Sequence, residues 1–151
     1  MPQPAERESL DLLLAQVSHL HYSRAHALLE AIGLYRGQPP VLRALWEHDG
    51  LTQTQLAQRL HVTPATMTKM LQRMEKAGFL TRRPDEHDRR VSRVRLTRAG
   101  RAIRARVQAV WQAMEQETFA GLTPAERRAL RRSLLTLRRN LMDATGDTLP
   151  F

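Results

Sequence analysis

The stretch TQTQLAQRLHVTPATMTKMLQRMEKAG, residues 52–78, leaves this chain few ways to fold. Thr52 is a favoured N-cap, and Gln55 three residues later completes a capping box, in which each residue's side chain satisfies the other's backbone N–H. Leu56, Ala57 and Leu60 then make a short apolar stripe, and His61-Val62 form a turn. Thr63 caps a second helix, and Pro64 takes its first position, where a missing N–H costs nothing. Met67, Met70, Leu71 and Met74 fall at i, i+3, i+4 and i+7, a spacing that predicts an inward face. Ala65, Thr68, Lys69, Gln72, Arg73 and Lys76 fall on the other side, and Gly78 ends the helix. Small Ala57 lets the two helices cross closely. A tight two-helix unit whose second helix shows a polar, cationic face is the arrangement that enters a DNA major groove. An αα-hairpin with a solvated basic face has the same pattern.

Beyond Gly78 the periodicity changes from helical to alternating. Phe79 to Arg83 reads as a short strand, Pro84 to Arg90 as a charged turn, and Val91 to Leu96 as a returning strand. Ser92, Val94 and Leu96 share one face of that strand, while Arg93 and Arg95 point the other way. A hairpin directly after such a helix is a wing, and arginine at its tip suits a narrow minor groove. From Arg82 to Arg106 there are ten arginines against Asp85, Glu86 and Asp88, in a chain with a formal net charge of +9. A polyanionic partner is the physical reading, and a hairpin charged for solubility is the plainer one. The basic residues are nearly all arginine, which grips phosphate and guanine in two-pronged fashion. A GC-rich genome favours arginine too.

The flanks are helical. Residues 1–7 form an arm with two prolines. Leu10, Leu13, Leu14, Val17, Leu20, Leu28 and Ile32 mark a long helix over residues 8–32, apolar on more than one side, as a helix buried against a partner chain would be. Pro39-Pro40 launch a second helix carrying Val41, Leu42, Leu45 and Trp46, and Asp49-Gly50 turn the chain into the two-helix unit. Thr97 caps a long helix to about Phe119, with Ile103, Val107, Val110, Trp111 and Met114 on one stripe. Thr123-Pro124-Ala125-Glu126 is a complete start signal for a last helix to about Ala144, with Leu130, Leu134, Leu137 and Leu141 expected inward. The fold class is mainly α with a small β-hairpin wing, in one domain of ordinary size over residues 1–151.

Other chemistry finds little support. There are no cysteines, which excludes disulfides, thiolate metal sites and thiol redox sensing, and fits a cytoplasmic location. The six histidines (His19, His21, His26, His48, His61 and His87) include no H-E-x-x-H or H-x-x-x-H spacing. No G-x-S-x-G or phosphate-binding glycine loop occurs, so neither an enzyme nor a bound cofactor or metal is expected. No signal peptide or membrane span is visible.

The segment DRRVSRVRLTRAG, residues 88–100, resembles the D-x-R…L-T-x-x-G signature of the MarR family of bacterial transcription regulators. LAQRLHVTPATMTKMLQRMEKAGFLTR resembles that family's recognition segment, and the likeness covers essentially the whole chain. The resemblance implies a homodimer on double-stranded DNA. Helices over 8–32 and 98–144 would interlock between chains, and 39–97 would form the winged helix-turn-helix lobe. It implies that Arg90 enters the minor groove with Asp88 holding it, and that Pro64, Ala65, Thr66, Thr68, Lys69 and Arg73 touch bases and phosphates. Gln72 joins them from the polar face. Thr68 stands where some members carry arginine. The resemblance further implies a small aromatic or acidic effector, in a crevice that His19, Tyr22, His26, Arg36, Trp46 and Trp111 would border. The functional expectation is a sequence-specific, ligand-responsive repressor. The alternatives are a weakly specific architectural DNA binder and a protein-interaction module on the same fold.

Overall fold

A computed structural model describes residues 8–149, so the arm read at residues 1–7 lies outside the described residues. The order is α1 (Leu10–Glu30), α2 (Gln38–Glu47), α3 (Gln53–Arg59), α4 (Pro64–Lys76), β1 (Leu80–Pro84), β2 (Ser92–Leu96), α5 (Arg98–Thr118) and α6 (Pro124–Thr145). Hydroxyl caps begin five of the six helices. Ser9, Thr52, Thr63, Thr97 and Thr123 each accept the N–H three residues on, with full capping boxes at Thr52–Gln55 and Thr123–Glu126. The exception is α2, which starts from Gly37 at φ 84° with prolines in its first turn. Gly37 has a second reason to lack a side chain. A Cβ there would come within 2.6 Å of Met70 Cε on α4.

The core sits in the lobe formed by α2, α3, α4 and the hairpin. Leu34, Val41, Leu42, Leu45, Leu56, Met67, Leu71, Met74, Leu80 and Val94 are all at or below 1% exposure. Each buried aliphatic of this size contributes about 1.5–3 kcal/mol through removal from water. Ile103, Val107 and Val110 extend the same cluster along α5, which ties the lobe to the long helices. The strands pair antiparallel from Leu80 opposite Leu96 to Pro84 opposite Ser92. A third short segment joins them, with Val94 N–H donating to Leu51 O at 2.9 Å and a bridge between Thr52 and Arg93.

Three sequence expectations are corrected. Leu130, Leu134, Leu137 and Leu141 do not turn inward within this chain, since no residue of α6 is buried and Leu141 is 58% exposed. Trp111 leaves its predicted stripe and is exposed, while Ile103, Val107, Val110 and Met114 are buried as expected. Met70 is half-buried rather than internal, because it lies at the edge of the core beside Gly37. The physical cause is common to α6 and to α1, whose Leu10, Val17 and Leu20 are also exposed. Amphipathic spacing defines an apolar face but not the body that covers it.

Candidate nucleic-acid interface

The recognition face is built by the cap and the core together. The Thr63 hydroxyl accepts Thr66 N–H at 3.1 Å and donates to Thr66 Oγ1 at 2.9 Å. Met67, Leu71 and Met74 are fully buried, which fixes the rotation of α4 about its axis. Pro64, Ala65, Thr66, Lys69, Gln72 and Arg73 are therefore exposed together on one side, and Thr68 is half-buried among them. Lys69 and Arg73 make no ion pair among the described residues, so their charge is available to a ligand. At the far end of α4, Glu75 receives Arg82 N–H at 3.0 Å and Arg82 Nη2–H at 3.0 Å. The Arg82 guanidinium holds the Glu75 carboxyl below its usual range. That pair fixes the angle between α4 and the wing.

The wing is held by two aspartates with different tasks. Asp85 is buried and accepts His87 N–H at 2.8 Å, Asp88 N–H at 3.1 Å and Nε–H of Arg93. Those three donors, Arg93 foremost, bring its carboxyl down to about 2. Arg93 also donates from Nη1 to Gly50 O at 2.9 Å, so it anchors the hairpin to the turn before α3. Asp88 accepts Arg90 N–H and Nε–H, both at 3.1 Å, and Nη2–H at 3.4 Å. Its carboxyl is lowered by the same guanidinium. The Arg90 side chain is nevertheless 91% exposed. A guanidinium held at its base and free at its outer edge has part of its rotamer entropy already spent.

Several residues with structural tasks escaped the sequence reading. Asp49 accepts Leu96 N–H at 2.9 Å and Gly50 N–H at 3.0 Å from one oxygen and Arg101 Nη2–H at 2.8 Å from the other. Of the ten hairpin-region arginines, Arg82, Arg90, Arg93 and Arg101 are thus paired with acids, while Arg83, Arg89, Arg95 and Arg98 are exposed and make no ion pair among the described residues. Gln53, the first residue of α3, donates from Nε2 to Thr68 Oγ1. The Asp49-Gly50 turn and the P-D-E run at 84–86 were visible signals for two of these acids; nothing in the periodicity pointed to Gln53.

The six residues proposed to border an effector crevice do not form one group. Tyr22 and His26 meet edge to face at 4.3 Å, and the Arg36 guanidinium lies 5.2 Å from the Tyr22 ring. His26 Nε2 is buried without a hydrogen-bond partner among the described residues. Trp46 is turned away, donating Nε1–H to Gly100 O at 2.8 Å with Arg104 over its ring. His19 and Trp111 are exposed. Arg36 also lines a surface crevice of about 520 Å³, whose other walls include Tyr35, Thr66, Lys69, Met70 and Arg73. Among the described residues no group of three or more His, Asp or Glu could hold a metal, and no helix is long and apolar enough to cross a membrane.

Comparison with known proteins places this geometry. A sequence model of the MarR family matches residues 34–92, which spans α2 through the wing tip. The HTH-type transcriptional regulator TtmR of Methylorubrum extorquens is 32% identical over 148 residues, covering 93% of this chain and 73% of that protein. The HTH-type transcriptional repressor Rv2887 of Mycobacterium tuberculosis is 32% identical over 130 residues, covering 86% of this chain and 94% of its own. A crystal structure of the Mycobacterium tuberculosis MarR family protein Rv2887 in complex with DNA superposes with a TM-score of 0.70, covering 86% of this chain and 98% of that one. With its capped two-helix unit, its D-x-R wing and relatives 32% identical over 73% and 94% of their own length, this chain belongs to the MarR family of transcription regulators.

Proposed function

We propose that the protein is a homodimeric repressor that binds a pseudo-palindromic operator and is released by a small acidic effector. The observation that carries the DNA reading is Arg90, fully presented at the wing tip yet held by Asp88, on the lobe that exposes Lys69, Gln72 and Arg73. A recognition helix supplies base and phosphate contacts in the major groove, and a tip arginine suits the minor groove beside it. The exposed leucines of α1 and α6 support the dimer, since helices of this kind gain little stability until another surface covers them. Two-fold symmetry then sets half-sites about 10 bp apart. Repression is the role of the similar Mycobacterium tuberculosis repressor Rv2887.

The effector reading rests on Arg36, which belongs both to the Tyr22–His26 cluster and to the crevice beside Lys69 and Arg73. An acid bound there contacts the recognition helix's own cations, so its affinity differs between free and DNA-bound protein, as any population shift requires. The experiment on the DNA reading is Arg90→Ala in a duplex-binding titration. The expected loss is on the order of 1–3 kcal/mol, and unchanged affinity would remove the wing from the interface. Asp88→Ala should also weaken binding although it removes a negative charge; tighter binding would leave simple repulsion as Asp88's role.

A further inference from the structure

We propose that Gln53, which lies outside the recognition helix, selects adenine at one position of each operator half-site, acting with Thr68 as a unit. The proposal rests on the operator-binding reading above.

The Thr68 hydroxyl has one hydrogen, and it goes to Pro64 O at 2.9 Å. Its lone pair accepts Gln53 Nε2–H across the gap between α3 and α4. Thr68 therefore has no proton left for a base acceptor. Its hydroxyl instead acts as a post that orients the Gln53 carboxamide at the outer side of α4. Gln53 keeps Oε1 and its second N–H without partners among the described hydrogen bonds. An acceptor and a donor side by side on a carboxamide match the N6 amine and N7 of adenine in the major groove. The neighbouring side chains leave room for this reach, because Ala65 and Thr68 are short where α4 faces outward. Holding the amide before binding also reduces the ordering cost at the interface. Gln53 stands at the first position of α3, outside the capping box made by Thr52 and Gln55, so replacing it leaves the helix start intact.

The competing role for the same amide is a phosphate contact, which would carry no sequence information. Selection from a randomised duplex pool separates the two, followed by anisotropy on the selected site and its single-base variants. Wild type, Gln53→Ala, Gln53→Glu and Thr68→Val would be compared, with circular dichroism confirming the fold. Wild type should prefer adenine at the position in question. Gln53→Ala should reduce that preference by roughly 5- to 100-fold and leave the other positions unchanged. Gln53→Glu should move the preference toward cytosine, whose N4 amine a carboxylate accepts. Thr68→Val, which removes the post, should relax the same position. Uniform weakening on every duplex by Gln53→Ala would overturn the proposal in favour of a phosphate contact, and an unchanged selection profile would overturn it outright. A wild-type protein that selects no sequence would refute operator binding itself, and this assignment with it.

Discussion

Gly100 is the last residue of the L-T-x-x-G segment, and the fold gives a physical reason for it. It lies in the first turn of α5 where that helix passes the end of α4. A Cβ on Gly100 would sit 2.0 Å from the Phe79 carbonyl oxygen, 3.0 Å from its carbon and 3.1 Å from Leu96 Cδ2. Real contacts begin near 3.0 Å, so Gly100→Ala must push α5 from the hairpin by about 1 Å. Two hydrogen bonds span that seam, Thr97 N–H to Phe79 O at 3.0 Å and Thr97 Oγ1–H to Gly78 O at 2.6 Å, and a third, Trp46 Nε1–H to Gly100 O at 2.8 Å, ties the same turn of α5 to α2. At about 1 kcal/mol each, losing two or three costs about 2–3 kcal/mol. Alanine's helix propensity returns at most about 1 kcal/mol. The net destabilisation is about 1–3 kcal/mol, in the range found for overpacked sites. Urea denaturation followed by circular dichroism reads it, at one fixed protein concentration because any self-association would add to stability. The midpoint should fall with little change in slope. Stability equal to wild type, or above it, would refute the close approach of α5 to Phe79.

Asp85 makes a second, pH-dependent prediction. Its carboxyl titrates near 2 in the fold against 3.8 unfolded, so its contribution is present above about pH 4 and fades as the pH falls through 2. The stability gap between wild type and Asp85→Asn should therefore narrow from neutral pH to about pH 2.5, and a gap equal at both would count against the Arg93 pairing. On the apolar face of α6, Leu137→Glu should convert dimer to monomer in sedimentation at micromolar concentration, since a charge placed in a covered apolar face goes unpaired. A variant that remains dimeric would move the interface off α6.

What could be read in advance and what could not divides along physical lines. Thr52, Gln55, Thr63 and Pro64 act within one helical turn, so the boundaries of α3 and α4 were legible. The wing was legible because Val94 and Leu96 alternate with arginine. Asp88 and Arg90 lie two residues apart, and the expected pairing is present. The third strand segment at Leu51 and Thr52 was not legible, because a pairing this short has no period to detect. Nor could a run of ten arginines tell which are paired with distant acids: Arg82, Arg93 and Arg101 reach Glu75, Asp85 and Asp49 from seven to fifty-two residues away. Trp46 and Trp111 share aromatic character, yet one donates to Gly100 O and the other is exposed. Tertiary partners decide such cases, and a single sequence does not encode them locally.

The central claim is that this lobe reads DNA sequence rather than charge. Fluorescence anisotropy against the protein's own upstream intergenic duplex and a shuffled duplex, each at two salt concentrations, tests it most directly. The native duplex should be preferred by roughly a thousandfold or more, with affinity falling at higher salt because counterion release from the phosphates then gains less. Equal, salt-sensitive binding to both duplexes, or no binding to either, would contradict it.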